Sequence, residues 1–359
     1  MLDSRCWRIA CGALLGAWLE LGALNQATAQ GADQPDGSQI KAGSWVVQPI
    51  PIAAAPRRIR TTGGSSRFDQ VTIETVDGTG YFLAECGEGL CAEPIVNPKP
   101  DDPLPEGALP GSQVAVGQHT IAHAWLADPT QRLLGSTLAG PVAGALVIED
   151  ITARTFRIDL PTSLAFEDRR PRIVDLGPDH PDTILLVRSD ETTGAALVAM
   201  GLTGEGLVQT IAETEPLGTP RAWLNPVGAA DFTGTGSVDI ALVSAPDSGG
   251  TLQILTLDGH TFRQRVAVHN VSNHVPGTDI IDMAVVADFD GDGVSDIAVP
   301  DGERQRIRIL SFAKGQVAQP AEIALPAAVV TEIASISPGA GKRPYLLMGL
   351  TDGQLVLLH

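Results

Sequence analysis

The residues with the clearest chemistry lie in one short loop, residues 288–296, which reads Asp-Phe-Asp-Gly-Asp-Gly-Val-Ser-Asp. Its carboxylates fall at the first, third, fifth and ninth positions, as Asp288, Asp290, Asp292 and Asp296. The backbone carbonyl of Val294 is available at the seventh position. Ca²⁺ takes about six to eight oxygen ligands, and alternating positions of a tight loop point toward one ion. The loop therefore predicts a Ca²⁺ site, whereas Mg²⁺ is disfavoured by its stricter octahedral geometry.

A second loop, residues 231–239, has the same spacing with less charge. Asp231 and Asp239 keep the first and ninth positions, but hydroxyl residues stand between them, namely Thr233, Thr235 and Ser237. Because this loop carries half the carboxylates of the first, it is expected to bind Ca²⁺ weakly or to be held by hydrogen bonds alone.

Both loops separate short apolar runs, and this arrangement recurs along the chain. Apolar runs alternate with clusters of Gly, Pro, Asp and Asn, which is typical of strands and turns. The unit returns about every 50 residues, starting near Val71, Ile121, Ile173, Leu224, Met283 and Ile333. Four strands per unit at this period indicate the blade of a β-propeller. We predict an all-β fold with six four-stranded blades; the irregular stretch 117–160 leaves seven open.

The last repeat is one strand short, because it ends with the apolar run 354–358. The run 44–50 is predicted to supply the missing strand and close the ring, which would remove exposed sheet edges. Two β-sandwiches divided at the Pro/Asp-rich loop 94–110 are the alternative. Sandwiches do not require a fixed repeat, so the propeller is favoured.

The N-terminal residues have the order of a secretory signal peptide. Arg5 and Arg8 precede an apolar run, residues 9–19, and an Ala-Thr-Ala sequence ends at Ala29. The run is too short to span a bilayer. We therefore expect residues 1–29 to be a signal, residues 30–43 a flexible mature N terminus, and residues 44–359 one propeller domain. The protein is expected to be exported, either periplasmic or secreted, with no membrane span.

Cys86 and Cys91 are the two cysteines that lie outside the predicted signal. In an oxidising compartment, a pair that flanks a Gly-rich turn is most simply a local disulfide. A redox site would more typically have two residues between its cysteines. The pair is therefore predicted to be structural.

The loop 288–296 and its repetition resemble the FG-GAP/VCBS-repeat proteins, a group of integrin α-like β-propellers, here of the bacterial exported type. The match is sharp over residues 283–299 and fair over residues 226–243, and elsewhere it rests on periodicity. In that family, such loops connect the first two strands of a blade and hold Ca²⁺. The resemblance implies a Ca²⁺-stabilised propeller that serves adhesion, glycan binding or scaffolding, with a few enzymes that act on polysaccharides.

Composition and motifs narrow the function. The 359 residues carry a net charge of −18, which argues against nucleic acid as a partner because phosphate binding needs a basic surface. The chain has no nucleophile elbow, no zinc-protease motif and no phosphate-binding loop. The favoured function is a binding or scaffolding module for a protein or glycan partner, without catalysis. The alternative is an enzyme that acts on polysaccharide or phosphate ester at the mouth of the central channel.

A candidate ligand site is predicted in the segments that precede the first strand of each blade. In a propeller these connections gather around the mouth of the central channel. They carry an aromatic residue among polar ones, namely Arg169, Arg221, Trp223, Asn225 and His274. An exposed Trp beside such groups would suit a sugar or a peptide. The alternative is that Trp223 packs between blades while the polar side chains cap strand ends.

Overall fold

The middle strands of the sheets are continuous apolar runs rather than alternating ones. Residues 184–187, 240–243, 297–299 and 346–348 are all buried. A strand that is covered on both faces has no polar face to show in its sequence. These strands are therefore sandwiched between neighbouring sheets. The computed structural model describes residues 45–61, 70–87, 89–96, 102–339 and 341–359.

The described residues form 25 strands, numbered here in chain order. Strand β1 is Val47–Ile50. Blade 1 comprises β2 (Pro56–Thr61), β3 (Val71–Thr75), β4 (Gly80–Cys86) and β5 (Gly89–Pro94). Blade 2 comprises β6 (Ala115–Val116), β7 (Ile121–Thr130), β8 (Val142–Asp150) and β9 (Thr155–Asp159). In blade 3, β10 (Leu164–Phe166) and β11 (Arg172–Val174) both pair with β12 (Thr183–Asp190), which is followed by β13 (Gly194–Leu202) and β14 (Val208–Glu213).

The remaining blades follow the same order. Blade 4 comprises β15 (Leu224–Ala230), β16 (Asp239–Ser244), β17 (Thr251–Asp258) and β18 (Thr261–His269). Blade 5 comprises β19 (Val285–Ala287), β20 (Asp296–Pro300), β21 (Arg306–Ser311) and β22 (Ala318–Ala324). Blade 6 comprises β23 (Ala334–Ile336), β24 (Tyr345–Gly349) and β25 (Leu355–Leu358), and β1 completes it.

The N-terminal strand supplies the fourth strand of the last blade, which confirms the prediction. β1 pairs antiparallel with β25, from Val47 opposite Leu358 to Ile50 opposite Leu355. The backbones of Val46 and His359 continue this ladder with hydrogen bonds of 2.9 and 3.1 Å. The count of six blades follows from these pairings.

Successive blades pack face to face through separate apolar clusters. Such clusters join blades 2 and 3, 3 and 4, 4 and 5, 5 and 6, and 6 and 1. Blades 1 and 2 differ, because no cluster in the described part of the chain contains residues of both. The blade 2 face that is turned away from blade 3 has a small cluster of its own, formed by Ala127, Ala145 and Val147 with Trp125 against them.

Ion pairs between blades that are not neighbours show where the central axis lies. Arg58 in β2 of blade 1 pairs with Asp279, in the connection that precedes blade 5. Arg170 of blade 3 pairs with Asp282 in the same connection, at 2.7 Å. These side chains meet in the middle of the ring, so the first strands lie innermost and the fold is a β-propeller.

In blades 1 and 2, the strands that the sequence predicted to be first are the second strands of the blade. The sequence placed the first strands near Val71 and Ile121, but these residues begin the second strands, β3 and β7. The true first strands are β2, which contains three arginines, and β6, which is two residues long. Neither resembles an apolar strand followed by an acidic loop, and for this reason the repeat pattern did not reveal them.

Some sequence predictions fall outside the described residues. These are the signal peptide at 1–29, the flexible segment 30–43 and residue 44. The predicted loop 94–110 lies within the connection from β5 to β6, where residues 97–101 are also outside. The part of the chain that the structure describes contains no helix long and apolar enough to cross a bilayer.

Candidate metal centre

The acidic loop 288–296 connects the first two strands of blade 5. Asp288 directly follows β19, and Asp296 is the first residue of β20. Because Ala287 lies opposite Asp296 in this antiparallel pair, the two ends of the loop are held side by side. Gly291 and Gly293 turn the chain with φ of 83° and 85°, in the left-handed region that favours glycine.

Three of the four predicted carboxylates converge. Asp288, Asp290 and Asp296 each offer an oxygen, and these atoms lie within 4.8 Å of one another. Ca²⁺–oxygen distances of about 2.3–2.6 Å place two ligands of one ion up to about 5 Å apart. The three oxygens are therefore close enough to share one ion. Only hard oxygen donors are present, which suits Ca²⁺.

Asp296 is the buried member of this group and has a free oxygen. Its residue is fully buried, and its Oδ2 accepts a hydrogen bond of 2.9 Å from the Phe289 N–H. Its Oδ1 is buried without a hydrogen-bond partner among the described residues. Burial raises the pKa of Asp296 from 3.8 to about 7, and the charge of Asp290 contributes to this rise. A buried, unpartnered carboxylate oxygen is costly unless a cation compensates it.

Asp292 is placed differently from the three converging carboxylates, whereas ligation by the Val294 carbonyl stays a prediction. Asp292 is exposed and lies outside the converging group, and its Oδ1 accepts a hydrogen bond of 2.7 Å from the Val294 N–H. Asp288 accepts hydrogen bonds from the N–H groups of Gly291 and Gly293, at 2.6 and 3.0 Å. These bonds fix the loop in a conformation that brings the other carboxylates together.

In the sister loop 231–239 of blade 4, hydrogen bonds satisfy the buried carboxylate. The Thr233 hydroxyl donates to Asp239 Oδ2 at 2.9 Å, and this bond opposes the rise that burial causes in the pKa of Asp239. Asp231 accepts from the N–H groups of Thr235 and Gly236, at 3.0 and 2.7 Å. Ser237 is exposed. Hydrogen bonds within the loop therefore reach both of its carboxylates, and its weak or absent Ca²⁺ binding stays a prediction.

Most of the candidate ligand site is buried, whereas a ligand site requires exposed side chains. Trp223 is 2% exposed, so it offers no stacking face to a ligand. Its Nε1 donates to the Glu167 carbonyl at 2.9 Å, and its ring contacts His274 edge-on, with centroids 4.9 Å apart. His274 is itself fully buried and bonded to Asp247 at 2.8 Å. The aromatic residue packs between blades, as in the alternative considered above.

The polar members of that site hold the connections together. Asn225 is fully buried, and its amide donates to the carbonyls of Asn273 and Ile281, at 3.0 and 2.8 Å. Arg169 is 5% exposed and donates to the carbonyls of Pro141, at 2.8 Å, and Ala139. Of the five predicted residues, only Arg221 is exposed.

Sequence reasoning missed a small cavity beside Arg221. It lies where blades 2, 3 and 4 meet, and Ser136, Glu167 and Ser189 are among the residues that line it. Two of these residues come from separate connections and Ser189 comes from the end of β12, and no spacing in the sequence links them.

The disulfide joins Cys86 at the end of β4 to Cys91 in β5, across the hairpin of blade 1. This agrees with the predicted pairing and suits an oxidising compartment. Export itself stays a prediction.

The comparisons with known proteins give no family. No protein-family model and no curated protein matches the chain. Solved structures that resemble it include the WD40 domain of SCAP from fission yeast, with a TM-score of 0.39 and 9% identity over 88% of this chain and 69% of that one. Another is the WD40 domain of coronin from Toxoplasma gondii, with a TM-score of 0.43 and 9% identity over 88% and 85%. Both are β-propellers, and the assignment to FG-GAP/VCBS repeats stays a prediction.

Proposed function

We propose that this chain is a Ca²⁺-stabilised β-propeller that serves as a binding module for a protein partner. The observation that carries the proposal is the group of Asp288, Asp290 and Asp296, whose oxygens converge, together with the buried Asp296 Oδ1, which has no hydrogen-bond partner among the described residues. An ion held there would join the first two strands of blade 5.

The connections around the channel mouth support a binding role. Their buried polar side chains are bonded to one another and to backbone carbonyls, so the loops are fixed before a partner arrives. A preorganised surface loses less conformational entropy on binding than a mobile one. A protein is favoured over a glycan because Trp223, the aromatic residue that would have stacked on a sugar ring, is buried.

Thermal unfolding with and without Ca²⁺ tests the metal site. A ligand that binds only the native state stabilises it by about 2.7 kcal/mol at 100 times its Kd. We expect the Tm of the wild type to rise with Ca²⁺ and to fall in chelator. Asp290→Asn should lose most of this response. In chelator it should be as stable as the wild type or more so, because the charges of Asp292 and Asp288 contribute to the raised pKa of Asp290.

Asp239→Asn is the control, since it replaces the buried carboxylate at the ninth position of the sister loop, which corresponds to Asp296. It should lower the Tm equally in Ca²⁺ and in chelator, leaving the Ca²⁺ response intact. A wild-type Tm that is the same in millimolar Ca²⁺ and in excess chelator would falsify the site.

A further inference from the structure

The cavity where blades 2, 3 and 4 meet contains a buried carboxyl group. We call it the loop cavity and define it by Ser136, Glu167, Ser189, Glu191 and Arg221. Its walls are the loop between β7 and β8, the segment between β10 and β11, the end of β12 and the residues just before β15. Its volume is about 10 Å³, which is close to the space that one water-sized group needs.

Glu167 is a buried carboxyl group, and the nearby charge of Arg169 offsets only part of the rise in its pKa. It is 5% exposed, burial raises the pKa of its carboxyl group, and within the described residues it forms no ion pair. Arg169, two residues away, directs its guanidinium to the carbonyls of Pro141 and Ala139. Buried carboxylates in proteins are normally paired with a cation. The charged side chains that line the loop cavity are Glu167, Asp190 and Glu191 against one basic residue, Arg221, so the lining is acidic on balance.

A hydroxyl group in the wall is also left without a partner. Ser189 is 3% exposed, and its Oγ makes no hydrogen bond of good geometry to a described residue. The hydroxyls of Ser136 and Ser189 lie close enough to Glu167 to offset part of the rise in its pKa. The cavity is thus lined by one buried carboxyl group and two serine residues, of which Ser136 also accepts a hydrogen bond of 3.2 Å from the Leu138 N–H.

The rim carries further negative charge and an apolar side chain. Glu191 accepts a hydrogen bond of 2.6 Å from the Leu134 N–H, which holds its carboxylate at the opening. The Leu134 side chain is 68% exposed. Arg221 lies across Gly135, with Nε 3.2 Å from the position that a Cβ of residue 135 would occupy.

We propose that the loop cavity binds the ε-ammonium group of a lysine presented by a partner protein. This inference rests on the binding function proposed above and specifies the chemistry of the partner. An ammonium group has three donors and no acceptor, which matches the Glu167 carboxylate and the hydroxyls of Ser136 and Ser189. The aliphatic stem of the lysine packs against Leu134, as such stems do on apolar surface.

Other cations fit this cavity less well. A planar guanidinium presents five donors and is larger than the compact ammonium group, so it exceeds a volume of about 10 Å³. A divalent metal needs several converging carboxylates. Among the described residues, groups of three side chains that could hold a metal occur at Asp288, Asp290 and Asp296 and at Cys86, Cys91 and Glu93, but not here. The net charge of −18 also favours association with a basic partner.

Direct binding of a lysine side chain tests the proposal. The probe is Nα-acetyl-lysine-N-methylamide, titrated into the Ca²⁺-loaded protein and followed by NMR chemical-shift changes. We expect saturable binding that Glu167→Gln weakens by about tenfold or more. Ser189→Val, which fills the cavity without removing the charge, should weaken it comparably. Glu332→Gln alters another buried glutamate away from the cavity, and it should leave the affinity unchanged.

Two further probes identify what is recognised. Methylammonium lacks the stem and should bind several times more weakly, whereas the Nε-acetylated probe lacks the charge and should not bind. Equal binding of the acetylated and free probes, or equal affinity of wild type and Glu167→Gln, would overturn the proposal. If Glu167→Gln does not fold, Ser189→Val and the probe series decide alone.

Failure here can be distinguished from failure of the proposed function. If no lysine probe binds while the Tm still responds to Ca²⁺, the loop cavity proposal falls and the metal site stands. If the lysine probe binds and the Tm does not respond to Ca²⁺, the metal site falls and the loop cavity proposal stands.

Discussion

Asp182 shows how one carboxylate can join two blades. It lies just before β12 in blade 3 and is 5% exposed. Its oxygens accept hydrogen bonds from four successive backbone N–H groups of blade 2, residues 118–121, at 3.4, 2.8, 2.6 and 3.0 Å. These bonds favour the charged form. Although burial opposes them, the net result is a lowered pKa for Asp182.

This arrangement predicts a pH-dependent loss of stability. A carboxyl group whose pKa is lower in the folded than in the unfolded state stabilises the folded state. This contribution is fully present at pH values above the unfolded-state pKa of 3.8, and it disappears as the pH falls through the folded-state pKa. Asp182→Asn should therefore cost about 2 kcal/mol at pH 7. Urea unfolding should show the difference between mutant and wild type shrinking as the pH falls below about 4.

The control for this prediction is Asp352→Asn. Asp352 is exposed and accepts hydrogen bonds only from Gln354, within its own turn, so the change should have little effect at either pH. If Asp182→Asn were equally destabilising at pH 3 and pH 7, its role would be steric rather than electrostatic.

At the residue scale, predictability depended on whether partners are neighbours in the sequence. The residues of loop 288–296 are contiguous, so their spacing alone suggested a metal site. Asp182 and Glu167 acquire their surroundings from other repeats, and no local pattern shows that. The sequence left open whether Trp223 is exposed at a ligand site or packs between blades. The structure shows the second arrangement, and its polar neighbours apart from Arg221 are buried with it.

At the scale of elements, the N-terminal strand contacts the metal loop. Trp45, just before β1, packs against Phe289, with ring centroids 6.2 Å apart and planes inclined by 52°. Phe289 stands between Asp288 and Asp290 in sequence. The Arg343 guanidinium also lies 3.8 Å from the centre of the Trp45 ring. The loop of blade 5 and the strand that completes blade 6 therefore share an aromatic contact.

This contact predicts an optical signal for Ca²⁺ binding. Ordering of the loop around an ion should change the surroundings of Phe289 and, through it, the emission of Trp45. We expect tryptophan fluorescence to change with Ca²⁺ in the wild type. Trp45→Phe should abolish this change while Ca²⁺ binding, measured by calorimetry, persists.

Trp125→Phe serves as the comparison, because Trp125 lies on blade 2, away from the loop. It should keep the Ca²⁺-induced change. A signal that survives Trp45→Phe and disappears with Trp125→Phe would contradict the contact as the source.

The strands that the sequence predicted well are those buried on both faces. Their apolar runs are continuous and stand out between turns. The first strands of blades 1 and 2 were missed because they lie around the polar centre of the ring, where side chains such as Arg58 take part in ion pairs. At such positions burial does not require apolar residues.

At the scale of the molecule, β1 covers the open edge of β25 and adds to two apolar clusters. Ile50 is 3% exposed and belongs to the cluster between blades 6 and 1, and Val47 packs on the cluster between blades 5 and 6. Without β1, the strand Leu355–Leu358 would present an unpaired edge, which invites association with other chains.

Removal of β1 should therefore destabilise the whole propeller. In a mature chain that begins at residue 30, deletion of residues 30–50 should lower the Tm and produce aggregates in size-exclusion chromatography. Loss of the Ile50 side chain alone is expected to cost about 2–5 kcal/mol. Deletion of residues 30–43 keeps β1 and should have little effect. A monomeric, equally stable protein after the longer deletion would show that blade 6 needs only three strands.

The pairing of β1 with β25 also fixes an order of events during synthesis. Among the described strands, β1 is synthesised first, yet its hydrogen-bonding partner β25 is synthesised last. Blade 6 therefore cannot be completed before β25 has been made, although blades 2 to 5 contain only strands that follow one another. Until then β1 has no partner strand, and the nascent protein would benefit most from a chaperone during this interval.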